Sequence, residues 1–455
     1  MRPVSERDAG VSRGRAMLPW SLATLSLRGV CRVNPGYHLL TSDELAEACN
    51  ADAEFRLAAR RWHGAVRLDI DDDLVGLSMR DGVASTWSVA DLDVPVVRIT
   101  DSSAAWQALL AARPGRFLDD LMPAIAAGAF TRTGDELMWW QYYPALARMV
   151  EVMRARVGEP ANASRTVDPV ASGHFDAPIG RYVHLDLGGV DHRVYFEEAG
   201  TGIPLLLQHT AGSHGIQFRH LFEMADITDR FRLIAYDLPF HGKSTPPTST
   251  AWWEQEYRLT AQFAMSVPIA LSKALALDRP AFMGCSVGGQ LALDLACFHP
   301  DEFRAVIALE PALKLQGQLD ELVGFWHPAV SNETKARIMH GLTSPDSPEA
   351  LRRETIWAYA SGWPPSFLGD LYYYLVDHDL RDAASSIDTS RCQVHLLSGE
   401  YDWSGTTELG LEAHQAIAGS TFAEMEGLGH FPMSEDPQRL RKHLMPILTA
   451  IAATS

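Results

Sequence analysis

The strongest constraint on this chain is a rhythm. From Arg181 onward, short apolar runs alternate with helix-like stretches: Arg181–Leu187, Arg193–Glu198, Pro204–Gln208, Arg232–Asp237, Pro280–Gly284, Arg304–Glu310, Gln393–Gly399 and Thr421–Glu426. Segments this short cannot satisfy their backbone groups alone. Alternating with helices, they do so in a sheet covered on both faces, so the pattern predicts an α/β fold whose sheet is largely parallel in its later part. The interval Ala312–Arg391 breaks the rhythm with helical and aromatic material, including Trp326, Trp357 and Trp363. It is expected to be a cap inserted at about 312–391, within a second domain spanning 179–455.

A stretch rich in Pro, Ala, Ser and Gly, residues 159–178, lacks sustained apolar periodicity and reads as a linker. Upstream of it, Thr41-Ser42-Asp43-Glu44 resembles a helix start leading into Leu45–Trp62. Strands are expected at His63–Ile70, Leu74–Met79 and Val94–Thr100, and helices at Ala104–Ala112, Leu118–Ala127 and Asp135–Val157. Residues 39–158 thus form a smaller α+β domain with a mainly antiparallel sheet. Arg2, Arg7, Arg13 and Arg15 precede the apolar stretch Ala16–Leu27 in the outline of a secretion signal. No small-x-small cleavage site follows, so residues 1–38 are read as an N-terminal extension.

Composition narrows the partners. Over 455 residues the formal charge is −18, which works against phosphate backbones and anionic lipid, so nucleic acid is not expected. The longest apolar stretches, such as Leu121–Phe130 and Ala264–Leu277, are short or interrupted, so no membrane span is expected. Five cysteines with no pairing pattern argue against a disulfide framework and for a reducing, cytoplasmic setting. The sequence leaves homo-oligomerisation open.

Chemistry concentrates in Ala281-Phe-Met-Gly-Cys-Ser-Val-Gly-Gly-Gln290, where Gly284-x-Ser286-x-Gly288 follows an apolar strand and opens a helix. So tight a turn lifts Ser286 into the open, with Gly284 and Gly288 keeping side chains clear of the neighbouring elements. Two further strand ends follow in chain order: Gly399-Glu-Tyr-Asp402, then Gly427-Leu-Gly-His430-Phe-Pro432. A serine hydroxyl needs an imidazole to take its proton, and the imidazole needs a carboxylate to fix its tautomer. Ser286, His430 and Asp402 are therefore expected to meet at one sheet edge. Cys285, inside the turn, reads as buried and inert.

These motifs, over about Gly180 to Ala452, resemble the α/β-hydrolase superfamily. The likeness extends to Leu205-Leu-Leu-Gln-His209-Thr-Ala-Gly212, which resembles the loop after that family's third strand. It implies an oxyanion hole made of the Val287 amide and that of Ala211 or Thr210. Ala235-Tyr-Asp-Leu-Pro-Phe-His-Gly-Lys-Ser244 is similar to the family's Asp-x-x-Gly-x-Gly-x-Ser turn, with His241 in place of a glycine. Its tail, Gly242-Lys243-Ser244, is not read as a P-loop, because Asp237 stands where the first glycine must be. Serine as nucleophile argues against haloalkane dehalogenases and epoxide hydrolases, which use a carboxylate there.

The resemblance thus implies a serine esterase or lactonase acting on a hydrophobic small molecule, with no metal or organic cofactor. Carbon–carbon bond hydrolysis and non-catalytic binding of a lipid or small ligand are the alternatives. His209, Trp363, Tyr373 and Trp403 are candidate pocket residues, although Tyr372, Tyr373 and Tyr374 cannot all face one way on a helix. Residues of about Leu39 to Gly158 weakly resemble the sterol-carrier-protein-like fold, which would imply an apolar tunnel.

Overall fold

The computed structural model describes residues 39–88, 94–157, 172–317, 319 and 325–454; the expected extension 1–38 and the linker through residue 171 lie outside them. Thr41 caps α1 (Ser42–Ala51) through its hydroxyl, and the Glu44 carboxylate accepts the Thr41 N–H at 2.8 Å, closing a capping box. The single helix expected over Leu45–Trp62 is two. Asp52 turns extended (φ −86°, ψ 120°), and its carboxylate accepts the Phe55 N–H at 2.7 Å, restarting the chain as α2 (Ala53–Ala59).

There follow β1 (Gly64–Ile70), β2 (Asp73–Arg80), β3 (Val83–Thr86), β4 (Val96–Asp101), α3 (Ser103–Leu109), α4 (Leu121–Ala126), β5 (Thr131–Gly134) and α5 (Glu136–Val157). The sheet order is β3-β2-β1-β4-β5, with β1 and β4 parallel and the other neighbours antiparallel. Strands β3 and β5 were not foreseen. Each is four residues long with mostly exposed side chains, so neither carries a readable apolar alternation.

The second sheet begins with β6 (Ile179–Leu187), β7 (Val190–Ala199) and β8 (Ile203–Gln208), then α6 (Ala225–Thr228), β9 (Phe231–Tyr236), α7 (Ala261–Ala274), β10 (Ala281–Cys285), α8 (Val287–Phe298) and β11 (Ala305–Leu309). Here the chain leaves the sheet for an insertion containing α9 (Asn332–His340), α10 (Glu349–Ser361) and α11 (Pro364–Tyr372). It returns through β12 (Gln393–Gly399), α12 (Thr407–Ala416), β13 (Thr421–Met425), α13 (Pro432–Glu435) and α14 (Pro437–Ala453).

The eight strands lie in the order β13-β12-β11-β10-β8-β9-β7-β6, parallel from β13 through β9 and antiparallel at β7 and β6. Alternation decides which face each residue covers: Phe282 and Val306 pack on the side of α7 and α8, Met283 and Ile307 on the side of α14. Between β8 and β10 the strand order reverses direction. In open α/β sheets, the crevice at the carboxyl ends of the strands beside such a switch point is where ligands bind.

Candidate active site

Five strand ends converge at that crevice. At the end of β10, Ser286 holds φ 60° and ψ −113°, a conformation rare outside glycine, and it caps α8. Its N–H donates to Leu309 O at 2.9 Å, anchoring the turn to β11. The flanking glycines permit it: a Cβ on Gly284 would lie 2.3 Å from Gly288 O, and one on Gly288 would lie 2.7 Å from Gln208 O.

After β12, Asp402 is fully buried, with Oδ1 accepting the Ser404 N–H at 2.7 Å and Oδ2 accepting His430 Nδ1–H at 2.6 Å. Burial alone would raise the Asp402 carboxyl; the imidazole and these donors hold it below the ordinary range. With Nδ1 donating, the other ring nitrogen of His430 is left as an acceptor. The loop bearing His430 is fixed from two sides: His430 N–H donates to Leu342 O at 2.9 Å, and Cys285 Sγ donates to His430 O at 3.0 Å. Cys285 therefore links the serine turn directly to the histidine loop. Its thiol is pushed far up by burial, then by the carboxyls of Glu310, Asp402 and Glu435, so it stays protonated.

In the loop after β8, the amides of Thr210 and Ala211 differ in their partners. Thr210 N–H donates to Gln217 Oε1 at 3.1 Å, and its hydroxyl is shared between Gln217 and the Tyr359 phenol. The Thr210 amide is spent. Gly212 N–H donates to Asp370 Oδ2 at 2.7 Å, which leaves the Ala211 N–H unclaimed among the described residues. Val287, as the first residue of α8, has no preceding helical turn to donate into.

Three of the four candidate pocket residues are committed elsewhere. His209 donates from Nδ1 to Thr210 O at 2.7 Å and accepts the Leu238 N–H on Nε2 at 3.1 Å; burial, reinforced by His241, keeps it neutral. Tyr373 donates to Asp294 Oδ2 at 2.5 Å, tying the insertion to α8. Trp403 is buried and donates its indole N–H to Gly341 O at 3.0 Å. Trp363, more than a third exposed, stands in an aromatic group at the surface, its ring 6.3 Å from Phe240 and 5.7 Å from Trp252.

Two residues gain a place that the sequence did not give them. The Tyr374 phenol has the Ser286 side chain as a hydrogen-bond neighbour and lies 3.2 Å from Ser404 Oγ. Sequence adjacency concealed this, since the helix turns Tyr373 toward α8 and Tyr374 toward the serine. Glu310, at the end of β11, accepts the Gly399 N–H on both carboxyl oxygens, at 3.0 and 2.8 Å, and burial followed by the neighbouring Asp402 charge pushes its carboxyl well up. No signal in the local sequence marks it.

Residues 203–346 match the family model for the alpha/beta hydrolase fold. Among solved structures, the chain is similar to a thermophilic esterase from Thermogutta terrifontis with malate bound, at TM-score 0.52 and 19% identity over 60% of this chain and 99% of the esterase. It is also similar to a hydrolase from Pseudomonas aeruginosa PA01, at TM-score 0.51 and 20% identity over 59% of this chain and 98% of that one. No curated protein matches the sequence. Among the described residues, no helix is long and apolar enough to cross a membrane, and no group of three or more His, Cys, Asp or Glu could hold a metal ion.

Proposed function

We propose that the protein is a serine hydrolase that cleaves a carboxylic ester or lactone of a hydrophobic small molecule through an acyl-enzyme. The observation that carries this is the 2.6 Å contact between His430 Nδ1 and Asp402 Oδ2 beside a serine held at positive φ on a helix N-terminus. In this reading, His430 takes the Ser286 proton as the hydroxyl attacks the carbonyl carbon, and the carbonyl oxygen becomes an oxyanion. The amides of Val287 and Ala211 donate to it. As the tetrahedral intermediate collapses, His430 gives the proton to the leaving alkoxide. Water then attacks the acyl-serine with His430 as base, releasing the acid and restoring Ser286. Asp402 keeps the imidazole oriented and balances its charge. The Tyr374 phenol, a hydrogen-bond neighbour of the Ser286 side chain, orients it between turnovers.

Labelling with a fluorophosphonate tests the reading. Wild type takes the label at Ser286; Ser286→Ala does not, and Asp402→Asn slows labelling by a factor on the order of 10³–10⁴ because the imidazole adopts the wrong tautomer. An accessible Ser286 that stays unlabelled would favour a binding protein instead. Esters and lactones of graded size then locate the substrate; turnover of aryl dienone acids without any ester would move the assignment to carbon–carbon hydrolysis.

A further inference from the structure

A cavity of about 670 Å³, open to the surface, lies where α5 and the segment leading into α4 meet the stretch from α9 to α10, and none of its lining residues belongs to the active site. Most of the charge in its walls is already answered. Arg148 holds Asp52 and Glu151, each at 2.7 Å; Arg352 holds Glu349 at 3.0 Å; Arg353 holds Glu54 at 3.0 Å; and Asp120 has Arg337 at 3.4 Å. Two lining groups stand outside this pairing.

The first is Arg154 of α5. Its Nε and Nη2 donate to the carbonyls of Leu109 and Asp119, at 2.7 to 3.2 Å, while Nη1 donates to none of the described residues. A guanidinium held only by carbonyls keeps its charge unanswered. The second is the Asp119 carboxyl, 8% exposed, whose Oδ1 has no partner among the described residues. Each group feels the other's charge, yet the two do not pair. Beside them the wall is small and apolar, formed by Ala112, Ala155 and Pro345.

We propose that this cavity binds a small aliphatic monocarboxylate, whose carboxylate accepts from Arg154 and from the Asp119 O–H while its chain lies along Ala112, Ala155 and Pro345. The inference goes beyond the serine-hydrolase reading and stands whether or not Ser286 reacts. One unpaired cation answers one negative charge, and the carboxylates of Glu54, Glu151 and Glu349 in the same walls disfavour a second. An ammonium ligand would meet Arg154 instead.

Protonation gives the site a signature. Around Asp119 stand Asp120 on its own segment, Arg154 from α5 and Arg352 from α10; burial, then Asp120, pushes its carboxyl up to about 7, with both arginines opposing. His340 of α9, lowered to about 3 by burial and then by Arg352 and Arg337, is neutral throughout the range that matters. An anion prefers the protonated form of Asp119, so binding takes up a proton and weakens as pH rises through 7.

Calorimetric titration of the full chain with hexanoate tests this. Hexanoate binds at pH 6, and hexanamide, hexylammonium and inorganic phosphate bind at least about tenfold more weakly. From pH 6 to pH 8 hexanoate stays ionised while Asp119 loses its proton, and the affinity falls about tenfold. Arg154→Gln weakens binding at least about tenfold, and Arg154→Lys keeps part of it. Asp119→Asn, which retains a donor without the titration, binds at pH 6 within about threefold of wild type and does not change by pH 8. Absence of binding by wild type, wild-type affinity in Arg154→Gln, or a pH dependence missing from wild type or retained in Asp119→Asn overturns the inference. Tighter binding of phosphate or of hexylammonium overturns it as well, by giving the cavity to a different ligand.

Discussion

Ser286 sits in a backbone conformation that a non-glycine residue keeps only when its surroundings over-determine it. Gly284 is part of that surround. Gly284→Ala forces a methyl group against Gly288 O, 2.3 Å from the ideal Cβ position, and the clash is with backbone that cannot move aside. The expected cost is about 1–3 kcal/mol in chemical denaturation, with Ser286 labelling slowed at least about tenfold as the turn is displaced. Glu310 supplies a contrasting case. Because burial and Asp402 keep it protonated, Glu310→Gln preserves both shape and neutrality, and stability and labelling rate stay near wild type. Glu310→Ala strands the Gly399 N–H and costs about 1–3 kcal/mol. The same scale shows what was readable. Ser286, Asp402 and His430 follow from motif and order, whereas Glu310 and Lys335 become visible only through what surrounds them.

Helix α9 shows why elements carry information that residues do not. At 3.6 residues per turn, Thr334 and Arg337 share one face, and Thr334 Oγ1 donates to Trp140 O of α5 at 2.9 Å. Lys335 faces Phe367 instead. The helix ends at His340, and the peptide groups just beyond it receive the Trp403 indole N–H and the His430 N–H. Between α5 and α10 lies a polar cavity of about 670 Å³, lined by Asp119, Arg148, Arg154, His340 and Arg352. Burial, then the Asp120 charge, pushes Asp119 up to about 7, and its Oδ1 has no partner among the described residues. A folded pKa above the unfolded 3.8 means that this carboxyl's stabilising contribution is present below that value and lost as pH rises toward 7. Relative to wild type, Asp119→Asn therefore gains stability from pH 4 to pH 7, by up to roughly 4 kcal/mol, and the gain levels off above. Denaturation of both proteins across that range measures it; a difference independent of pH would refute the assignment.

Across the whole molecule, one hydrophobic cluster runs from Leu45 and Trp62 through Trp140 into Met339, Tyr359 and Phe367 of the insertion and on to Phe431. The N-terminal region thus shares a core with the elements that overlie the site. Arg337 crosses the same junction, its guanidinium held by Glu151 and, at 3.4 Å, by Asp120. Arg337→Met leaves buried Asp120 without its cation and Glu151 with only Arg148, at 2.7 Å, and is expected to cost about 3–5 kcal/mol. It also slows Ser286 labelling, because α9 loses its anchor and the His430 loop rests on the chain just beyond that helix. Arg391→Gln, which breaks an exposed pair with Asp301, leaves both stability and labelling unchanged.

The amino-acid sequence by itself determined the alternating sheet, the serine turn and the chain order of Ser286, Asp402 and His430, because periodicity and tight-turn sterics act over a few neighbouring residues. The tertiary structure alone decided that the Ala211 amide rather than that of Thr210 is open, that Tyr374 and not Tyr373 meets the serine, and that Lys335 Nζ is buried without a hydrogen-bond partner among the described residues. These depend on which distant groups claim a donor or a charge first. Burial and competition for hydrogen-bond partners are settled only once the chain has closed on itself.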